Sequence, residues 1–281
     1  MFQRMAMNNN YILAGDQTYV LNGKGGSGAV WVYKTTTGDW SDTTYERLLF
    51  NPQQSESNTG GAYGVNADIN ANGIAAISAQ RNDVGPTADP NVQAAAGSSI
   101  ARGGQVFFIN LETGSERFFL QSPSPTVGAQ FGSDIAFIGT DKIAIGEMVS
   151  DTTANNAGRV HIYKTTNGLW NDITLVASID SPSGDPVNDT FGRHVRYSDG
   201  YLVSNAAQAP GGPVYIFTSA SGDWDDATMV FQTINPNDPT HAGSSENAVS
   251  VSIDADHMAI GRMTLGAPTN TGFVEIFKLM N

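Results

Sequence analysis

The chain has 281 residues, enough for one large domain or two small ones and ample for a buried core. Its 14 Lys and Arg stand against 27 Asp and Glu, a formal net charge of −13, which excludes long-range attraction to nucleic acid or to an anionic membrane surface. There is no cysteine, so neither a disulfide framework nor a thiolate metal site exists, a composition common in proteins that never meet an oxidising compartment.

The first ten residues, MFQRMAMNNN, lack the apolar run of roughly 7–15 residues that a secretory signal needs. No stretch approaches the roughly 18 apolar residues of a membrane span. Synthesis in a cytoplasm without a signal peptide is the expectation.

Four elements then recur along the chain. The first is an aromatic-Gly start with a strand behind it, at Tyr63-Gly64, Phe131-Gly132 and Phe191-Gly192, with Phe2-Gln3 and Glu246-Asn247 as degraded copies. A tight polar turn follows each, such as Asn8-Asn9-Asn10, Asn70-Ala71-Asn72-Gly73 or Ser198-Asp199-Gly200, which is hairpin chemistry. The second element is a short apolar segment ending in a small residue, closing on Gly15, Ser78, Gly146, Ser204 and Gly261; these small residues predict close packing.

The third is a Gly-x-Val strand with bulky residues behind it. It begins at Gly28, Gly104, Gly158, Gly212 and Gly272, and its fourth position holds Trp31, Phe107, His161, Tyr215 and Glu275. β-Branched and aromatic residues in this pattern read as strands. The fourth element is a Gly-x-Trp-x-Asp turn leading into a further strand, with Trp40 and Asp42, Trp170 and Asp172, and Trp224 and Asp226. Each Trp is expected to pack on its own repeat and each Asp to cap its turn. The other reading of these indoles is sugar stacking.

Four strands per repeat, five times over, predict an all-β, five-bladed β-propeller of four-stranded antiparallel blades. It forms one domain, 1–281, with blades near 1–50, 51–120, 121–179, 180–234 and 235–281. The fifth blade lacks its outer strand, which leaves an edge at 273–279 that is either covered by an added strand from a partner or tolerated in solvent.

Phe131 to Leu175 and Phe191 to Val230 carry this pattern best, and there the chain resembles the FG-GAP repeat propellers of the bacterial and viral type. The resemblance covers the whole chain and implies the propeller fold; members of that family serve as adhesion modules, surface proteins and virion parts. The GAP tripeptide is absent after the second strand, and Gly266-Ala267-Pro268 lies in a later loop. Some members bind calcium in the inner hairpin. Here only the run of Asp68, Asn70 and Asn72 approaches such a loop, with one carboxylate where calcium prefers several; its other reading is an Asn-Gly turn. No further cofactor is expected.

Catalytic motifs are wanting. The four histidines, His161, His194, His241 and His257, show no metal-ligand spacing, and no H-E-x-x-H, G-x-S-x-G or P-loop is present, although a Ser-His-Asp arrangement assembles in space rather than in sequence. His194 with Arg193 and Arg196 forms either an anion contact or a solvated polar patch in a central channel. Loops joining second to third strands and successive blades are long and unlike one another, notably 80–102, whereas the other hairpins are short and repeated. Rigid scaffolds commonly carry binding loops on one face; unconstrained drift in loop length is the other explanation.

The expectation is therefore no enzyme but a structural or interaction propeller. It is a virion component of a phage tail, fibre or capsid surface, with a carbohydrate-binding or adhesion module on the loop-rich face as the alternative. Expected partners are other structural proteins of an assembly or a cell-surface glycan, with no nucleic acid and no membrane insertion, at a virion or extracellular surface. The partner contacts fall on Asp83, Pro86, Asp89 and Asn91 of the long loop and on Phe273, Glu275 and Phe277 of the edge.

Overall fold

The computed structural model describes residues 4–23, 25–52, 60–85, 100–151, 153–183, 187–209, 212–233, 248–264 and 271–279. They form five antiparallel sheets. The first holds β1 (Arg4–Met7), β2 (Tyr11–Asp16), β3 (Ala29–Lys34) and β4 (Thr44–Phe50) in sequential order. The second holds β5 (Tyr63–Ile69), β6 (Ile74–Ala79), β7 (Gln105–Asn110) and β8 (Ser115–Gln121), and the third holds β9 (Phe131–Ile138), β10 (Lys142–Glu147), β11 (Arg159–Lys164) and β12 (Thr174–Asp180). The fourth holds β13 (Phe191–Ser198), β14 (Tyr201–Ala206), β15 (Val214–Thr218) and β16 (Thr228–Thr233). The fifth has three strands, β17 (Ala248–Asp254), β18 (His257–Thr264) and β19 (Thr271–Lys278). The fold class is the expected five-bladed β-propeller.

The chain divides into two compact units, Met1–Lys142 with Thr165–Ile173, and Ile143–Lys164 with Thr174–Asn281. In the first unit the core joins Leu13, Val30 and Val32 to Tyr63, Ile77 and Phe107, with Phe119 of β8 packed against it. Strand β6 reads IAAISA and is buried along its whole length, so it is apolar or small throughout rather than alternating. Trp170 is fully buried, stacked on Phe108 at 5.0 Å and edge-on to Phe137 at 5.1 Å. In the second unit Val203, Val214, Ile216, Val251, Met258 and Ile260 form a core, and Trp224, 3 % exposed, meets Tyr197 edge-on. Trp170 and Trp224 are thus packing residues, whereas Trp40 is half-buried.

Successive sheets are stapled by the two glycine elements read from the sequence. The Phe131 N–H donates to the Gly103 carbonyl at 2.8 Å and the Phe191 N–H to the Ala157 carbonyl at 3.0 Å. Gly158, at φ +80°, lies flat on the backbone of Phe191, where an added Cβ would strike the Phe191 carbonyl and, at 2.5 Å, its nitrogen. Gly104 meets Phe131 in the same way and Gly28 meets Tyr63. The leading glycine of the Gly-x-Val strand and the aromatic-Gly pair of the next repeat are two halves of one joint.

Each Gly-x-Trp-x-Asp turn closes on its aspartate. Asp172 accepts from the hydroxyls of Thr165 and Thr166 and from the Thr166 N–H at 3.0 Å, and Asp42 and Asp226 are held alike by Thr35 to Thr37 and by Ser219 to Ser221. One irregularity is not visible in the sequence. The register between third and fourth strands shifts at Val32/Tyr33, Phe108/Ile109, Ile162/Tyr163 and Ile216/Phe217, the same repeat position in four sheets. Such a bulge re-aims every side chain beyond it.

Two outcomes are expected. Gly158→Ala should lower the free energy of unfolding by about 2–4 kcal/mol, from positive-φ strain together with a backbone clash, as read by urea denaturation. The hydrogen bonds from Thr35, Thr165 and Ser219 hold the carboxyls of Asp42, Asp172 and Asp226 below the ordinary 3.8, Asp226 at about 2. A depressed folded value gives stability that is complete above the unfolded value and lost as pH falls through the folded one. Thermal midpoints should therefore fall between about pH 4 and pH 2, and less steeply in Asp226→Asn.

Candidate functional site

The third sheet departs from the repeat in one place. At the fourth position of the Gly-x-Val strand, where the first, second and fourth sheets carry Trp31, Phe107 and Tyr215, β11 carries His161. Its cross-strand partner on β12 is Ser178, in the place taken by Leu48, Phe119 and Gln232 in those three sheets. Behind it, at the end of β10, stands Glu147, where β6 has Ala79. Directly opposed residues of an antiparallel pair bring their side chains into contact on one face.

These three side chains form a continuous series. The His161 Nδ1 lies 2.9 Å from the Ser178 Oγ, and the His161 Nε2 lies 2.7 Å from the Glu147 Oε2. His161 and Glu147 are each 1 % exposed, whereas Ser178 faces solvent. A carboxylate only accepts hydrogen bonds, so opposite a carboxylate Nε2 carries the imidazole proton and Nδ1 is left as acceptor for the serine hydroxyl. The order from surface to interior is hydroxyl, imidazole, carboxylate.

The surroundings are also specialised. Arg159 donates to Asp180 across the β11–β12 pair, two residues along from His161 and Ser178. Tyr163 lies on the other side of His161, with ring centroids 6.3 Å apart, and is 4 % exposed. Burial, and then the charge of Glu147, push the Tyr163 phenol far above its usual range, so it remains protonated beside the pair. The corresponding place in the fifth sheet also carries a polar pair: Arg262, 3 % exposed, donates to Glu275 and, at 2.8 Å, to the Gly212 carbonyl.

The residues singled out in the sequence lie elsewhere. Asp68 accepts from the Ile69 N–H at 2.9 Å and the Phe137 N–H at 2.8 Å, and Asn70 Oδ1 accepts from the N–H groups of Asn72 and Ile74 at 3.0 Å each. These oxygens hold a hairpin turn and join β5 to β9. Among the described residues no three His, Cys, Asp or Glu side chains group as a metal site would require. Asp83 accepts from the Arg102 N–H at 3.0 Å; Pro86, Asp89 and Asn91 lie outside the described residues, as does His241. Phe273 and Phe277 are half-buried on β19, and Glu275 is the partner of Arg262. His194 is buried, its N–H donating to Asn205 at 2.9 Å. Sequence reading placed His161 on its strand but gave it no role; its departure from the aromatic residues at that position was the available signal.

No family model matches the chain, and no curated protein matches it. Among solved structures it is similar to the Pseudomonas aeruginosa periplasmic gluconolactonase, with TM-score 0.50 and 11% identity over 98% of this chain and 71% of that one. It is also similar to a prolyl endopeptidase, with TM-score 0.49 and 15% identity over 96% of this chain, and so spans about 32% of that enzyme. A third is the Pyrococcus horikoshii acylaminoacyl peptidase, with TM-score 0.47 and 10% identity, covering 100% and 38%. Identity this low establishes the fold alone. The expectation of a non-enzymatic virion component, with its adhesion alternative, is nonetheless corrected. It was drawn from kinship of fold and an absence of motifs, and the fold is shared with a protein named as a gluconolactonase.

The His161–Glu147 pair should behave as a coupled unit. His161→Phe and Glu147→Ala each leave a buried polar partner, at a cost of about 3–5 kcal/mol for the first. The double variant, which recreates the Ala79 and Phe107 of the second sheet, should recover about 1–3 kcal/mol of the summed cost in a denaturation cycle.

Proposed function

We propose that this chain is a hydrolytic enzyme of propeller fold in which Ser178, activated by His161 and Glu147, attacks the carbonyl carbon of an ester or lactone. The observation that carries this reading is the buried-to-exposed series Glu147, His161, Ser178, all three of which replace the residues of the second sheet's repeat at once. A serine hydroxyl is a poor nucleophile until a base within hydrogen-bond reach takes its proton, and His161 stands 2.9 Å away. As Oγ bonds to the acyl carbon, its proton passes to Nδ1; Glu147 at Nε2 holds the ring in the tautomer that can accept and stabilises the imidazolium. The protonated imidazole then returns its proton to the departing alkoxide, and water, activated by the same base, releases the acyl group.

The repeat itself we assign to the FG-GAP type, on the Phe131-Gly132 and Phe191-Gly192 pairs and the joint each makes with the preceding glycine.

The full chain is tested with p-nitrophenyl acetate and, separately, with a fluorophosphonate that marks activated serines. Expected are hydrolysis above the buffer rate and a single label on Ser178. Ser178→Ala should remove the label and lower kcat by about 10³-fold or more, and Glu147→Gln should lower it less. The folded Glu147→Ala, His161→Phe double variant should be inactive. A hydrolysis rate that Ser178→Ala leaves unchanged, with no label on Ser178, sinks the proposal.

A further inference from the structure

Asparagine is followed by glycine at Asn22-Gly23, Asn72-Gly73 and Asn167-Gly168. With no side chain on the glycine, its amide nitrogen can reach the side-chain carbonyl carbon of the asparagine before it, and the permissive glycine backbone adapts to the ring that results. All three asparagines are exposed, so access of solvent does not distinguish them. Their anchoring does.

At Asn167 the side chain is held. Its Oδ1 accepts from the Thr165 hydroxyl at 3.1 Å and from the Leu169 N–H at 2.7 Å, and its Nδ2 donates to Asn171 at 2.6 Å. At Asn72 the glycine is held instead. The Gly73 N–H, the group that would attack, donates to the Asn70 carbonyl at 3.1 Å, and the Gly73 carbonyl accepts from the Leu111 N–H at 3.0 Å. Asn22-Gly23 lies in the connection between β2 and β3 and has neither restraint. Among the described residues no hydrogen bond holds the Asn22 side chain or the Gly23 N–H, and a Cβ placed on Gly23 would meet nothing within 4 Å. Asn22 sits at φ +51°, a left-handed conformation that sterics make costly for a residue with a Cβ and easy to leave.

We propose that Asn22 is a site of spontaneous deamidation, converted in the folded protein to aspartate and isoaspartate, while the fold protects Asn72 and Asn167. The Gly23 nitrogen gives up its proton and bonds to Asn22 Cγ; the Cγ–Nδ2 bond breaks, and ammonia leaves with a proton taken from solvent, closing a cyclic imide. Water then opens the ring. Cleavage between Cγ and the Gly23 nitrogen gives aspartate. Cleavage between the main-chain carbonyl carbon and that nitrogen gives isoaspartate, in which the backbone runs through the former side chain. Either product adds a negative charge to the loop that the Gly28 N–H closes on the Tyr19 carbonyl at 3.2 Å, just before Gly28 meets Tyr63. None of Glu147, His161 and Ser178 takes part.

The test ages the full chain at mildly alkaline pH, which favours loss of the attacking nitrogen's proton. Isoaspartate is read by enzymatic methyl-ester formation, and each site is assigned by fragmentation of tryptic peptides in a mass spectrometer. In the folded chain Asn22 should convert at least about tenfold faster than Asn72 or Asn167, since each hydrogen bond that must first break slows the attack several-fold. In urea the three pairs differ only in their sequence neighbours, and their rates should converge to within about threefold. Gly23→Ala, made where there is open space, should slow conversion at Asn22 and leave the other two sites unchanged. Conversion of Asn72 or Asn167 as fast as Asn22 in the folded chain overturns the proposal. So does a preference for Asn22 that persists undiminished in urea, because sequence rather than structure would then set it.

Discussion

A single backbone contact organises this molecule. Where the Gly-x-Val strand begins, a glycine at positive φ lies against the peptide of the next repeat's aromatic-Gly pair, so closely that no Cβ fits. The aromatic N–H completes the joint by donating to the residue before that glycine. Main-chain groups must find partners wherever they are buried, and this joint satisfies them at the point where two sheets meet. Everything beyond it, from the direction of the third strand to the burial of Tyr63, Phe131 and Phe191, follows from how tightly the two chain segments approach.

With that joint fixed, side chains further along each sheet are free to differ, and the copies show how. In the second sheet the place behind the joint is filled by Ala79, Phe107 and Phe119, an apolar solution that stabilises by area buried. In the third it holds Glu147, His161 and Ser178, and in the fifth Arg262 and Glu275. Burying a hydrogen-bonded ionisable pair where a phenyl ring also fits gains little stability and often loses some. A polar series with its outermost hydroxyl exposed is therefore better explained by chemistry than by packing.

The outer edge follows the same logic. Four sheets close with their own fourth strand, and in the third the aspartate and tryptophan of the connecting turn lock it, Asp172 by accepting three hydrogen bonds and Trp170 by stacking on Phe108 of the preceding sheet. The fifth sheet has no such element among its described residues.

By itself the sequence determined the repeat and hence the fold: five glycine-led strands, their small-residue partners and the capped tryptophan turns are local patterns that each specify a strand or a hairpin. It also placed the structural aspartates, because an aspartate near Thr or Ser residues in a tight turn has few other partners. The hydroxyl, imidazole and carboxylate series was decided only by tertiary structure. Paired without interruption from Lys164 and Thr174, His161 would meet Ala177 and Ser178 would point to the opposite face. The bulge between Ile162 and Tyr163 skips one residue of β12 and sets Ser178 opposite His161. Strand period is two, so a slip of one residue exchanges the faces, and no count along the chain reveals where the slip occurs.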